Sequence, residues 1–197
     1  MNKIDVSELV RKSIHLFNMI IPLVHIYIIK DKMDMLTFLS LMLIFCFFIE
    51  IFRSQNFFLS RFFKKYLFFM MRSIEKQGDI TGATWVFAGS LITIILVPKP
   101  FCILALFFLS FGDTFAAIVG RNYPLIKIGR KTLSGSFACF VSCCIIGLMF
   151  SFGLDKTIIV FGALIATLTE FSSMSINDNL SIPIFSGLSM YLINIVL

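Results

Sequence analysis

The sequence predicts an all-α protein, a polytopic integral membrane helical bundle of about seven transmembrane helices with one further amphipathic helix lying in the interface. Three observations carry that prediction. Of the 197 residues, 58% are hydrophobic and only 14% charged, which is more apolar surface than one soluble core of this size can cover. The apolar residues run in long unbroken stretches, whereas a membrane β-barrel is built from short alternating strands. The breaks between the stretches hold the turn and charge signals, among them Pro98-Lys99-Pro100 and the polar run at 78–82.

Residues 1–12 form a polar, amphipathic lead-in, and the first span follows over 13–29. The second takes 35–52. Over 57–76 the pattern changes: Arg61, Lys64, Lys65, Arg72, Glu75 and Lys76 recur at helical spacing among Phe, Leu and Met, which describes a basic interfacial helix. A third span covers 83–97. Proline cannot continue a helix, so Pro98 and Pro100 force a tight turn before the fourth span over 101–118. The fifth takes 136–152, the sixth 157–170 and the seventh 183–197. Several are shorter than the roughly 20 residues of a perpendicular crossing, so local thinning or buried ends are expected. No internal repeat or long linker divides the chain, which reads as one domain over 1–197. The first apolar run lacks a small-residue cleavage pattern, so no cleavable leader is expected.

Lysine and arginine set the orientation. With the N-terminus inside, the outer segments hold only Lys30, Lys32, Lys99 and Lys156 of the 17 cations, and every other one falls on the inner side. That places the N-terminus in the cytoplasm and the chain in the inner membrane. The net charge of +6 sits beside apolar spans, which points to anionic membrane lipids and nucleotide phosphates as partners and not to nucleic acid. The five cysteines lie in apolar segments without metal-ligand spacing and read as packing residues.

Ionisable groups beside hydrocarbon are costly, so each needs a reason. Asp113 follows a glycine and sits among Phe111, Phe115 and alanines with no cation within a helical turn of its own segment. It reads as a magnesium ligand or nucleotide-site acid, with Gly112 and Gly120 allowing close approach. Arg121, Lys127, Arg130 and Lys131 lead into Thr132, Ser134, Gly135 and Ser136, where a helix opens with N–H groups and hydroxyl caps suited to an anion. The stretch Gly129-Arg130-Lys131-Thr132 has the wrong glycine spacing for a Walker loop. Carboxylate, fixed cations and helix N-terminus together suit a metal-bound polyphosphate. Arg11 and His15 are four apart and share a helix face with Lys12 beside them. Glu50 and Arg53, three apart, read equally as an interfacial ion pair. Asp79 lies in the break before the third span. The loop over 172–182 carries acid and no cation, which a metal held by Glu170 and Asp178, with Asn179 offering a carbonyl, explains. His25, mid-span, reads as a packing histidine.

Taken in order, RKxxH (Arg11, Lys12, His15), ExxR (Glu50, Arg53), GAT (Gly82, Ala83, Thr84), GDTFAAIVGR (112–121), GRKTLSGS (129–136) and the series Glu170, Asp178, Asn179, Pro183 resemble the polyprenol kinase family. That group contains dolichol kinase, phytol kinase and CTP-dependent diacylglycerol kinase and is related to the phosphatidate cytidylyltransferases. The resemblance spans nearly the whole chain. It implies a membrane enzyme that moves the terminal phosphate of CTP onto a lipid alcohol with Mg²⁺. In that scheme Asp113, Asp178 and Glu170 hold the metal, and Asp113, Lys131, His15 and Asp79 serve catalysis. The nucleotide falls to Arg11, Lys12, Gly112, Gly120, Arg121, Arg130, Lys131, Thr132, Ser134, Gly135, Ser136 and Asn179. Ser134 stands where the family often has glutamate. The cytidylyltransferase pattern of Gly-His-Gly and DRxD is missing, which favours the kinase branch. The alternatives are nucleotidyl transfer to phosphatidate or a prenyl phosphate and, in another class, a transporter, whose polar groups belong near the midplane.

Overall fold

Long apolar runs satisfy their own backbone polar groups by forming helices, and helices make up nearly all of the computed structural model, which describes residues 6–55, 61, 79–129, 131–172 and 176–196. In chain order the helices are α1 (Val6–Phe17), α2 (Ile20–Tyr27), α3 (Lys32–Gln55), α4 (Gly82–Leu96), α5 (Lys99–Asn122), α6 (Leu133–Met149), α7 (Lys156–Phe171) and α8 (Asp178–Val196). Between α5 and α6 lies a small antiparallel hairpin, β1 (Lys127–Ile128) with β2 (Lys131–Thr132), which the all-α prediction did not include. Four stretches are long and apolar enough to cross a membrane: Glu8–Tyr27, Lys32–Arg53, Lys99–Asn122 and Asp178–Val196. Gly82–Leu96 and Leu133–Met149 are shorter apolar helices. Of the expected interfacial helix over 57–76, only Arg61 is among the described residues; Arg130 also lies outside them.

α5 is the axis of the bundle. It packs against α1, α2, α4, α6, α7 and α8, and its most apolar window is 72% buried against 11% for α3. Phe107, Phe108, Leu104 and Ile103 of α5 are fully buried with Ile159, Ile182 and Met190. α3 touches the rest chiefly through α4, and its Leu41, Ile44, Phe45 and Phe48 are exposed, as side chains solvated by lipid tails are.

Three boundaries differ from those read in the sequence. The first span is broken after Phe17, because Pro22 has no N–H for the Asn18 carbonyl four residues back; Ile21 N bonds that carbonyl instead, at 3.0 Å. The fourth span does not end near Ile118 but continues, as α5, to Asn122, which leaves Asp113 more than two turns inside the helix. The last begins at Asp178 and not at Pro183, since Asn177 Oδ1 accepts from Asn179 N at 3.0 Å and caps it.

Pro183 then leaves the Asn179 carbonyl without its usual helical donor. That oxygen lies against Gly89 of α4, where a Cβ would stand 2.2 Å from it. Only glycine lets α4 and α8 meet this closely. Gly89→Ala must push the backbone of α8 away, so its thermal unfolding midpoint in detergent is expected to fall, with a cost at or above the upper end of the ~1–3 kcal/mol typical of overpacking. An unchanged midpoint would show that the two helices are not packed backbone to backbone.

Candidate active site

A second close approach builds the site. A Cβ on Gly120 would stand 2.5 Å from Thr132 Oγ1, and one on Gly135 would stand 2.7 Å from the Ala116 carbonyl oxygen. The last turns of α5 and the first turn of α6 are thereby drawn together, and a cleft of about 550 Å³ opens beside them. Its walls come from six elements: Glu8, Arg11 and Lys12 of α1; Asp113, Ala116, Ala117, Gly120 and Arg121 of α5; Lys131 and Thr132 of β2; Gly135 and Ser136 of α6; Glu170 at the end of α7; and Asp178 at the start of α8. Its volume is in the range of small-ligand sites.

Four carboxylates and four cations line this cleft, and they are interleaved. Lys12 Nζ reaches across from α1 to Asp113 Oδ2 at 2.5 Å and to the Asp113 carbonyl at 3.3 Å. His15 Nε2 is 3.2 Å from the same Oδ2 and 3.2 Å from the Leu109 carbonyl. As Lys12 and His15 ascend, Asp113 and Leu109 descend, so α1 and α5 run antiparallel here. Asn18 Nδ2 lies 3.3 Å from His15 Nδ1; with the amide donating, the ring proton is on Nε2, where it serves Asp113 and Leu109. Asp113 is 7% exposed and Lys12 6%, a buried pair.

Lys131 forms the second knot. Its Nζ is 2.5 Å from Glu170 Oε1 and 3.4 Å from Asp178 Oδ2, which joins three elements through one ammonium group. Burial alone would lower its pKa, but the carboxylates of Glu170 and Asp178 outweigh burial and hold it above the ordinary 10.5. The third knot is Glu8, which pairs with Arg11 three residues on and, at 3.0 Å, with Arg121.

The N-terminus of α6 is less open than its sequence implies. Thr132, its N-cap, accepts from Gly135 N at 3.1 Å, and Leu133 N bonds the Leu125 and Ile126 carbonyls. Two of the first three N–H groups are therefore already engaged, and the two residues that lead into β1 supply the carbonyls for one of them.

Of the residues singled out in the sequence, Arg11, Lys12, Asp113, Gly120, Arg121, Lys131, Thr132, Gly135, Ser136, Glu170 and Asp178 line the cleft, with His15 behind Asp113. Gly112, Ser134, Asn179 and Asp79 do not. Gly112 abuts the Cys139 and Cys143 sulfurs of α6, and Ser134 Oγ accepts from Leu125 N at 3.2 Å. Asn179 Nδ2 donates to the Gly82 carbonyl at 3.1 Å and ties α8 to α4. Asp79 is exposed, and its backbone carbonyl accepts from Arg53 at 2.8 Å. Glu50 and Arg53 pair at 2.8 Å, and Glu50 Oε1 accepts from Thr81 N at 2.8 Å and Thr84 Oγ1 at 3.2 Å. The ExxR and GAT motifs therefore cap α4 from α3. Glu8 was not singled out in the sequence; its spacing from Arg11 was the available signal.

Among the described residues no group of three or more His, Cys, Asp or Glu side chains could hold a metal ion by itself. Glu170 and Asp178 do already share one cation, the Lys131 ammonium. An all-oxygen pair of this kind fits Mg²⁺ arriving on a polyphosphate, since Mg²⁺ commonly takes one or two protein carboxylates and completes its shell with phosphate and water.

No protein-family model matches the chain, and no solved structure matches it. A protein of Rickettsia prowazekii (strain Madrid E), named Uncharacterized protein RP860, is 30% identical over 187 residues, covering 91% of this chain and 91% of the rickettsial one. An alignment that runs the length of both chains at this identity places them in one family, and the chain belongs to the family of that rickettsial protein.

Proposed function

We propose that this chain is an integral membrane phosphotransferase that moves the terminal phosphate of CTP onto a lipid alcohol. The alcohol is a polyprenol, a phytol-like isoprenoid or diacylglycerol. One observation carries the reading: the RKxxH, GD…GR and KT…GS segments, more than a hundred residues apart at their extremes, supply cations and carboxylates to one cleft at the end of an apolar bundle. A channel or carrier needs such groups along a path through the middle.

In this reading the shorter helices also cross, α1 and α2 as one span, which gives seven crossings with the N-terminus and the cleft facing the cytoplasm. The acceptor's chain stays among lipid tails while its hydroxyl reaches the cleft, and CTP enters from the aqueous side. Arg11, Arg121 and Lys131 take the phosphate oxygens. Lys12 and His15 hold Asp113 in place, so its carboxylate is oriented before substrate arrives. The bond from the terminal phosphorus to the β–γ bridging oxygen of CTP breaks, with CDP leaving, as the alcohol oxygen bonds that phosphorus. The alcohol's proton passes to Asp113, because His15 carries its own proton on the nitrogen that faces Asp113. Glu170 and Asp178, once released from Lys131, would be the carboxylates to hold Mg²⁺, which would supply charge neutralisation on the phosphates.

The test uses purified protein in nanodiscs with a panel of isoprenoid alcohols and diacylglycerol. Label from γ-labelled CTP should enter the lipid. Entry of α-label with release of pyrophosphate would instead make the protein a cytidylyltransferase, and transfer of neither would remove both enzymes.

A further inference from the structure

In the cleft as it stands, its cations are already in ion pairs with carboxylates of the chain itself. Arginines that are to hold phosphate therefore have to give up something. For Arg11 and Arg121 that partner is Glu8, which pairs with both, although the arginines come from the first helix and the end of the fifth. The two sides of the contact differ. Glu8 is 6% exposed, whereas the side chain of Arg121 is half in solvent at 50%. Glu8 Oε1 is buried 3.0 Å from Arg121 Nη2, yet among the described residues no N–H points at it, so there it has an ion pair and no hydrogen bond. A desolvated carboxylate oxygen without an aligned donor is weakly satisfied. A phosphate oxygen can take both guanidinium groups with aligned, charge-assisted bonds.

We infer that Arg11 and Arg121 form an oxyanion subsite for one phosphate group of a polyphosphate ligand, and that the Glu8 carboxylate is its internal occupant, displaced when the ligand binds. This rests on the polyphosphate reading of the cleft and adds to it the residue that sets anion affinity. Binding then works against the Glu8 contacts, so removing the charge of Glu8 strengthens binding, where loss of an ordinary scaffold residue weakens it. The gain must pass through Arg11 and Arg121. A general change of field, from deleting any negative charge nearby, needs no particular arginine.

The experiment is calorimetric titration of sodium tripolyphosphate into the full chain in nanodiscs, without alcohol. Glu8→Gln is expected to lower Kd at least about fivefold relative to wild type, and the triple variant Glu8→Gln/Arg11→Ala/Arg121→Ala to show no gain over Arg11→Ala/Arg121→Ala, as a mutant cycle requires of coupled groups. Glu8→Asp, which withdraws the carboxylate by one methylene and keeps its charge, is expected to give a smaller gain of about twofold and reads the same competition if Glu8→Gln does not fold. Equal or weaker binding by the folded Glu8 variants, or a gain that survives loss of both arginines, overturns the subsite. Label transfer from CTP is scored separately. Tighter tripolyphosphate binding by Glu8→Gln without lipid phosphorylation ends the kinase reading and keeps the subsite, and phosphorylation without tighter binding does the reverse.

Discussion

Asp113→Asn is expected to abolish transfer of label from γ-labelled CTP, lowering kcat at least about 1,000-fold, the upper range seen when one preorganised electrostatic group is removed from a reacting centre. Asparagine keeps the shape and one acceptor oxygen, so the bond from Lys12, 2.5 Å in the wild type, can persist in weakened form. What it loses is the charge, and with it the ability to accept the alcohol's proton or to sit beside a metal-bound phosphate. The same substitution leaves the Lys12 ammonium, 6% exposed, opposite a neutral group, so some stability is lost as well. A second variant separates the two effects. Asp113→Asn/Lys12→Met replaces the buried pair by neutral groups of similar size and is expected to recover most of the melting midpoint while transfer stays absent. Recovery of activity together with stability, or near-wild-type rates in the single variant, would remove Asp113 from the chemistry.

The helices were legible because apolar runs and prolines are local signals. Pro98 and Pro100 mark a real turn, and the spans over 83–97 and 157–170 fall within a residue or two of α4 and α7. The break at Pro22 and the cap at Asn177 were local signals passed over, but the misjudged end of the fourth span has another cause. The fourth span was closed at Ile118, just before Gly120-Arg121, but α5 runs on to Asn122 because its neighbours solvate its last turns: Lys12 and His15 at Asp113, and Thr132 against Gly120. Partners 101 residues away leave no mark on local hydropathy. For the same reason the site residues could be nominated by type but not sorted. Asn179 and Gly112 carry the same chemistry on paper as Asp178 and Gly120, and only the packing of α8 on α4 and of α6 on α5 makes the first two scaffold. The hairpin of β1 and β2 was hidden because strands of two residues carry no periodicity, and the residues that lead into it, Leu125 and Ile126, help to close the α6 N-terminus that the sequence had offered to an anion.

Lys131→Ala is expected to be costly twice. Glu170 is 3% exposed and has the Lys131 ammonium at 2.5 Å, so truncation leaves a carboxylate buried without that cation, with Asp178 facing it. Breaking a buried pair on one side typically costs about 3–5 kcal/mol, and a matching fall in unfolding free energy is expected in detergent. Lys131→Ala/Glu170→Gln, which removes the stranded charge, should recover much of that loss. The ammonium's pKa is raised on folding, so the stabilisation it gives is full below the unfolded value near 10.5 and fades only as pH climbs through the still higher folded one; the gap between wild type and Lys131→Ala should therefore be flat from pH 7 to 9. The functional cost follows a different pattern. If Lys131 leaves the carboxylates to meet phosphate, the stability-rescued double variant still lacks it, and its KM for CTP should stay raised about tenfold or more, roughly one lost charge-assisted hydrogen bond. A double variant that regains both stability and wild-type KM would make Lys131 a tether between α7 and α8 and nothing more.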